Sequence, residues 1–386
     1  MQKGFRALLE LDLQKTYTVG FRIIALAELY QQADQAARDG LRNAIRQDVT
    51  KLLDWQLAGG GWIYQKSDGG TWDFSNTQLA VLALREAARA GVEIKTDAYM
   101  KVQKLYLDHQ QPDGGWNYGR PPSGQNVNNG PSYGSMTAAG VASLFITREA
   151  LEPGVGCPCR NGRSSGRRNA QVDQAIAKGV GWLGQHFATN ENVLCANFVK
   201  SYVNYWLYAC ERVGIATGYK YLGTHNWYAE GAKAMIGRQA ADGGWGPLYD
   251  TSLALLFLIK GRAPILLNKV QFDGDWDMHP RDAANLAAYV GTLKEQRINW
   301  QIIHLDVPVA EWHDAPILYI SAESPPKLSD DQRKKLREFT DSGGTILFEA
   351  SCGNQAVITA WKAACKAIWP EWELRITDKD HPLWTA

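Results

Sequence analysis

Residues 110–119 read QQPDGGWNYG, with two glycines and a tryptophan directly behind a helix-like segment. The same arrangement stands at 56–62 (QLAGGGW) and at 239–245 (QAADGGW). In each copy a Gln precedes the Trp by six positions, pairing Gln56 with Trp62, Gln110 with Trp116 and Gln239 with Trp245. One copy would be an ordinary turn. Three copies in one internal phase mean a chain built by repetition.

The segments behind each Trp repeat as well. Ser75-Asn76-Thr77 leads into QLAVLALREAARA, Ser135-Met136-Thr137 into AAGVASLFIT, and Asp250-Thr251-Ser252 into LALLFLIKG. The polar residues are natural N-caps, and runs apolar almost all round predict buried helices. Thr16-Tyr17-Thr18 and Ser201-Tyr202-Val203-Asn204 keep the phase without a clean Gly-Gly-Trp. Between these starts, segments 37–58, 95–110, 170–187 and 226–240 are amphipathic and carry Arg42, Lys51, Lys101, Lys104 and Lys233. The alternation predicts two concentric layers, with inner helices lining an axis and outer helices ringing them. Each Gln-x-x-x-Gly-Gly-Trp is then the corner from an outer to an inner helix. There Gly permits positive φ, Trp wedges against neighbouring repeats, and Gln bonds free backbone groups.

These corners, each followed by a small-residue helix, resemble the prenyltransferase and squalene oxidase repeat over residues 1–262. The resemblance implies the α/α toroid of terpenoid cyclases and protein prenyltransferase β subunits. That toroid has about six helical pairs; five inner helices here imply a missing N-terminal repeat. Both ends of the chain read as cut.

The repeat ends near 263–280, where Pro, Gly and Asp accumulate, and this stretch reads as a linker. Beyond it, over 281–386, strands alternate with helices: WQIIHL (300–305), PILYI (316–320), SDDQRKKLREFTDS (329–342), TILF (345–348) and a helix over 355–369. That order predicts a mainly parallel, helix-covered sheet. ILYISAESPPKLSDDQRKKLREFTDSGGTILFEA resembles the flavodoxin-like core of class I glutamine amidotransferase-like domains. With FDGDWDMHPRDAANLAAYV at the junction, the segment from Ala263 onward is similar to domain of unknown function family 4159. The resemblance implies a bacterial protein, planctomycetes among the sources. The expected fold class is therefore multidomain and mainly α, an α/α toroid followed by a flavodoxin-like α/β domain.

Composition excludes some functions. Lys and Arg total 41 against 40 Asp and Glu, so no global field recruits nucleic acid. No apolar run is long enough to span a bilayer. The six Cys show no regular spacing and do not read as a disulfide framework. No cofactor is expected. The N-terminus lacks a signal-like apolar stretch; a cell-envelope location would require a signal peptide farther upstream.

Each toroid chemistry that the resemblance implies would leave a mark. A cyclase acid sits in Asp-x-Asp-Asp, and none occurs; Asp273-Gly274-Asp275-Trp276-Asp277 reads as a solvated turn. Prenyltransferase zinc needs Asp-x-Cys, also absent, so no metal is expected. Asp250 reads as a helix cap or a cavity residue. Cys352-Gly353-Asn354-Gln355 has thioester spacing but reads as a helix-starting turn. Cys157 and Cys159 form a Cys-x-Cys without a partner pair, inside a loop made basic by Arg160, Arg163, Arg167 and Arg168. His109, His186 and His225 fall at or near outer-helix ends.

The inner-helix starts would share one mouth, which gathers Trp72, Asp73, Asn76, Tyr133, Asn204, Tyr205, Tyr249 and Asp250. Aromatic faces with a few amide and carboxylate groups suit an isoprenoid or other apolar ligand with a polar head, or a carbohydrate; the same residues could instead merely fill the ring and cap helices. In the α/β segment, Ser321, Glu323 and Glu349 stand near carboxyl ends of strands, where open sheets bind ligands. The expected role is binding or assembly, with a lipid or protein partner. The alternative is an enzyme acting on an isoprenoid or other lipid, with Asp250 and Asp73 the first suspects.

Overall fold

The computed structural model describes residues 2–119, 130–152, 169–259, 261, 263–277, 279 and 281–382. The chain forms two compact units that part between residues 260 and 261. The insertion carrying Cys157, Cys159, Arg160, Arg163, Arg167 and Arg168 lies outside the described residues.

The helical unit runs α1 (Gln2–Glu10), α2 (Thr16–Gln32), α3 (Gln35–Asp54), α4 (Phe74–Arg89), α5 (Thr96–Asp108), α6 (Gly134–Leu151), α7 (Ala170–His186), α8 (Asn197–Lys200) and α9 (Val203–Thr217), then the hairpin β1 (Tyr221–Leu222) and β2 (His225–Asn226), α10 (Trp227–Gly237) and α11 (Leu248–Ile259). Burial sorts them into layers. α4 buries Phe74 to Thr77 and Leu79 to Leu84, which covers every face. α5 buries only Ala98, Tyr99, Val102, Leu105 and Tyr106, one stripe at helical spacing. Accordingly α2, α4, α6, α9 and α11 pack each on the next, while α3, α5, α7 and α10 back them. This is the two-layered arrangement that the alternating sequence pattern predicts.

The last inner helix departs from expectation. Its apolar run reads as wholly buried, yet Leu248, Tyr249, Leu255, Leu256 and Ile259 are exposed. Only Ala254 and Phe257 are buried. α11 packs on α9 and α10, and among the described residues of the helical unit no further helical pair follows it. One flank of the run therefore lacks the neighbour that covers each earlier inner helix.

The corners share one hydrogen-bond scheme. The Trp indole donates to the carbonyl ten residues back, Trp62 to Leu52 (2.7 Å), Trp116 to Tyr106 (2.9 Å) and Trp245 to Met235 (2.8 Å). The Trp main-chain N–H donates to a Thr hydroxyl at the next helix start, namely Thr77 (3.1 Å), Thr137 (3.1 Å) and Thr251 (3.0 Å). The Gln amide donates to the carbonyl four residues on, from Gln56, Gln110 and Gln239 alike. Gln56 and Gln110 also reach the following outer helix, at Ala98 O (3.1 Å) and Ala175 O (2.8 Å). Gly60, Gly114 and Gly243 take φ of +94°, +91° and +84°, a region costly for residues with a Cβ.

The second unit runs β3 (Ile265–Gln271), α12 (Asp282–Leu293), β4 (Asn299–His304), β5 (Ile317–Ala322), α13 (Asp330–Asp341), β6 (Thr345–Ala350) and α14 (Gln355–Ile368). All four strands are parallel, in the order β4-β3-β5-β6. The stretch 263–280 is thus not a linker, because it supplies β3, an inner strand of the sheet. Its Pro and Gly-Asp signals belong to the strand's flanks and hid the apolar run ILLNKVQ between them. One sheet face packs Val270, Leu318, Ile320 and Ala322 against Leu336, Phe339, Val357 and Ile368 of α13 and α14. The other face sets Leu267 and Tyr319 against Ala283 of α12. α12 contacts β3 and β4, and on β6 Leu347 stays 42% exposed. Ser329 caps α13 through a reciprocal pair of bonds with Gln332, the capping-box arrangement.

Candidate functional site

The start of α4 is organised by Asp73, its N-cap. The carboxylate accepts from Ser75 Oγ (2.7 Å), Asn76 N (2.8 Å) and Asn76 Nδ2 (2.8 Å). Burial pushes this carboxyl above its ordinary range, and the bonds from Ser75 and Asn76 pull it back. Asn76 is fully buried, and its Oδ1 has no partner among the described residues. Tyr133 holds the N-cap position of α6, with its phenol pushed up by burial.

Other expected cavity residues lie elsewhere. Trp72 is a buried staple, its ring 4.9 Å from that of Phe74 and 4.8 Å from that of His109. Asp250 does not cap α11, which begins at Leu248. The Thr–Trp bonds show why. Thr251 is the equivalent of Thr77 and Thr137, so Asp250 aligns with Asn76 and Met136, one step later than the sequence pattern placed it. Tyr249 is 54% exposed on the uncovered end of α11. Asn204 Nδ2 donates to Asp250 O at 3.4 Å.

What does converge is a set of tyrosines. The hydroxyl of Tyr17, on α2, lies 3.5 Å from that of Tyr205, on α9, and Gln78 Nε2 donates to Tyr205. The Tyr64 and Tyr118 hydroxyls are 2.9 Å apart, and Tyr118 meets Ser75 Oγ at 3.0 Å. The rings of Tyr17 and Tyr64 stack at 5.9 Å. A hydrogen-bonded chain thus leads from Asp73 through Ser75 and Tyr118 to Tyr64. Burial raises the phenols of Tyr17, Tyr118 and Tyr205, which keeps them protonated donors at neutral pH. Tyr17, Gln78, Tyr118 and Tyr205 nonetheless keep part of their surface open.

Tyr205 apart, sequence reasoning missed this set, although a signal was present. Trp62-Ile63-Tyr64 and Trp116-Asn117-Tyr118 repeat a Trp-x-Tyr pattern, and it is these equivalent tyrosines whose hydroxyls meet.

In the α/β unit, Ser321 and Glu349 do come together, with Ser321 Oγ donating to Glu349 Oε2 at 3.2 Å. Glu323 does not join them; its main-chain N–H bonds Asp275 O at 3.2 Å. Lys269 is fully buried and donates to Asp277 (3.0 Å), His279 O (3.1 Å) and Asp282 (2.8 Å). Tyr319 bridges Asp282 Oδ2 (3.1 Å) and Glu349 Oε2. Lys269 escaped notice because it lies inside the supposed linker. Cys352, at the end of β6, adopts φ +54° in the turn before α14 and is disulfide-bonded. The absence of a spacing pattern gave no hint of that bond.

Residues 266–386 match the family described as a domain of unknown function, DUF4159. No curated protein matches. A type II terpene cyclase from Scytonema, in its apo form, is a solved structure that matches at 13% identity and a TM-score of 0.28, covering 68% of this chain and 79% of that chain. No helix among the described residues is long and apolar enough to cross a membrane.

Proposed function

We propose that the helical unit is a binding module of the α/α toroid type, taking a lipid or isoprenoid ligand where its inner helices start. One observation carries this reading: Tyr17, Tyr64, Tyr118 and Tyr205 bring their hydroxyls together from separate elements while part of their surface remains open. Ring faces supply apolar contact, and the phenols, Ser75 and Gln78 supply hydrogen bonds. Among the described residues no Lys or Arg bonds the cluster, which supports an uncharged head such as an alcohol over a diphosphate. The test is native mass spectrometry of the full chain incubated with farnesol or with farnesyl diphosphate. An adduct with farnesol, reduced in Tyr205→Phe, supports the reading. A bare mass with both probes, or tighter binding of the diphosphate, overturns it.

An enzymatic reading of the same site would rest on Asp73, the buried carboxyl wired to Tyr118 through Ser75. Conversion of bound farnesol, abolished in Asp73→Asn, would establish it.

The flavodoxin-like reading of the second unit is supported by its all-parallel order β4-β3-β5-β6. That is the first part of the doubly wound order in which the first strand lies between the second and third. An amidotransferase activity gains no support, since a disulfide-bonded Cys352 offers no thiolate.

A further inference from the structure

Residues 372–376 read WELRI, apolar and polar in strict alternation, the pattern of a half-buried strand. They nonetheless belong to no helix or strand. Trp372, Leu374 and Ile376 are 75%, 62% and 98% exposed, and among the described residues no hydrogen bond engages the main chain of 373–376. An extended run of this pattern sets the three apolar side chains on one side, where water is a poor neighbour for them. The start of the arm is clamped. Arg337 on α13 pairs with Glu371 and donates to Ile368 O at 3.3 Å, and Trp369 Nε1 donates to Thr340 Oγ1 at 3.0 Å. Trp372 N closes the turn on Trp369 O at 3.1 Å.

This clamp holds the arm near the amino end of β6, because α13 ends at Asp341 and β6 begins at Thr345. β6 is an edge strand. Thr345 N donates to Pro316 O at 3.0 Å, toward β5, so by alternation Ile346 and Phe348 turn their N–H and C=O groups to the open side. Such an edge is a template for a further strand. α12 packs on β3 and β4, and Leu347, on the same sheet face as Tyr319, stays bare. One molecule thus carries both a strand-like arm without a sheet and a sheet edge without a strand. The arm stands clear of its own sheet while its start is fixed, so the edge that it fits is that of another copy. Reciprocal exchange serves both at once and closes on a two-fold axis. The area agrees. Taking about 150–250 Å² for a whole large apolar side chain, Trp372, Leu374, Ile376 and Leu347 leave roughly 500 Å² open per copy. Two such contacts reach about 1,000 Å², the least that a specific interface buries.

We propose that two copies of this chain pair through an exchanged strand, the arm 372–376 of each adding to β6 of the other, with Trp372, Leu374 and Ile376 covering Leu347. An area at the lower bound makes the dimer weak and concentration-dependent, with a dissociation constant of about 1–100 μM.

The test is sedimentation equilibrium of the full chain across that concentration range. A monomer–dimer equilibrium appears, and Ile376→Asp and Leu347→Lys each weaken it by at least about tenfold, since a charge blunts a pairing edge. Both positions are exposed, so the melting temperature of the dilute monomer stays that of the parent chain. Leu255→Lys, on the exposed side of α11, leaves the equilibrium unchanged. A monomer at every concentration, a dimer that either of the first two variants leaves intact, or one that Leu255→Lys dissociates overturns the proposal. So does protection of the 373–376 amides from deuterium exchange in the monomer, which would show the arm closed on its own β6.

Discussion

Replacing Thr77 with Val changes one hydroxyl into a methyl of nearly the same volume. At this corner the hydroxyl accepts from Trp62 N at 3.1 Å and donates to Asp73 O at 2.6 Å. Both Thr77 and Trp62 are fully buried, so no water can replace the lost partner. An unmatched buried N–H costs about 1–3 kcal/mol. Thr251 makes the equivalent bond to Trp245 N at 3.0 Å, but that corner is only half-buried and water can substitute. Thr251→Val should therefore cost no more than about 0.5 kcal/mol. Thr137→Val should behave like Thr77→Val, because Thr137 and Trp116 are equally buried. Urea unfolding followed by tryptophan fluorescence reads the difference. With a slope of about 2 kcal/mol/M, the two buried-corner variants should lower the midpoint by roughly 0.3–1.5 M more than Thr251→Val. Equal costs at all three corners, or no cost at Thr77, would show that the hydroxyl does not close the corner.

Asp73 gives a pH test with a definite sign. Its folded carboxyl titrates above the ordinary 3.8, so the folded state holds an extra proton between that value and the raised one. Stability therefore falls as pH climbs through this window. Asn caps a helix equally well and cannot ionise, so Asp73→Asn should gain on wild type in melting temperature between pH 4 and pH 7; a growing loss instead would contradict the burial argument. Lys269→Met would remove the buried ammonium that Asp277 and Asp282 share, at about 3–5 kcal/mol. Limited proteolysis should then show the segment after 261 cut first while the helical unit persists, and resistance of that segment would mean that the ion triad contributes little.

The sequence was most informative where a physical demand recurs. Gln110 and Trp116 advertise the corner because every outer-to-inner passage needs the same indole, amide and positive-φ glycine. Strands β4, β5 and β6 were legible from apolar runs bounded by turn residues. β3 was not, since Lys269 and Asn268 interrupt its apolar run and a Gly-Asp-rich loop follows it. Only the folded sheet shows that Lys269 is neutralised by two aspartates later in the chain. Asp250 was misplaced for a related reason: a polar triplet marks a helix start only to within a residue or so, and the Thr–Trp bond that sets the register is a contact between distant positions. The tyrosine site depends on pairs such as Tyr17 and Tyr205, 188 residues apart, a proximity that no local pattern encodes.

The second bond of each corner Gln gives the helical unit a direction. Gln56 reaches forward to α5 and Gln110 forward to α7, whereas Gln239 closes only on its own turn. The first two corners thus latch the rung after them, and among the described residues no corner Gln beyond Gln110 makes such a latch. Repeat stacks open by rungs rather than all at once. Fraying in this molecule should therefore start at α10 and α11 and travel backward until it meets the latch at Ala175. Amides of the final pair should exchange with solvent deuterium well before those of α4 and α6, so that the unit melts from its C-terminal end like a zipper with a single open end.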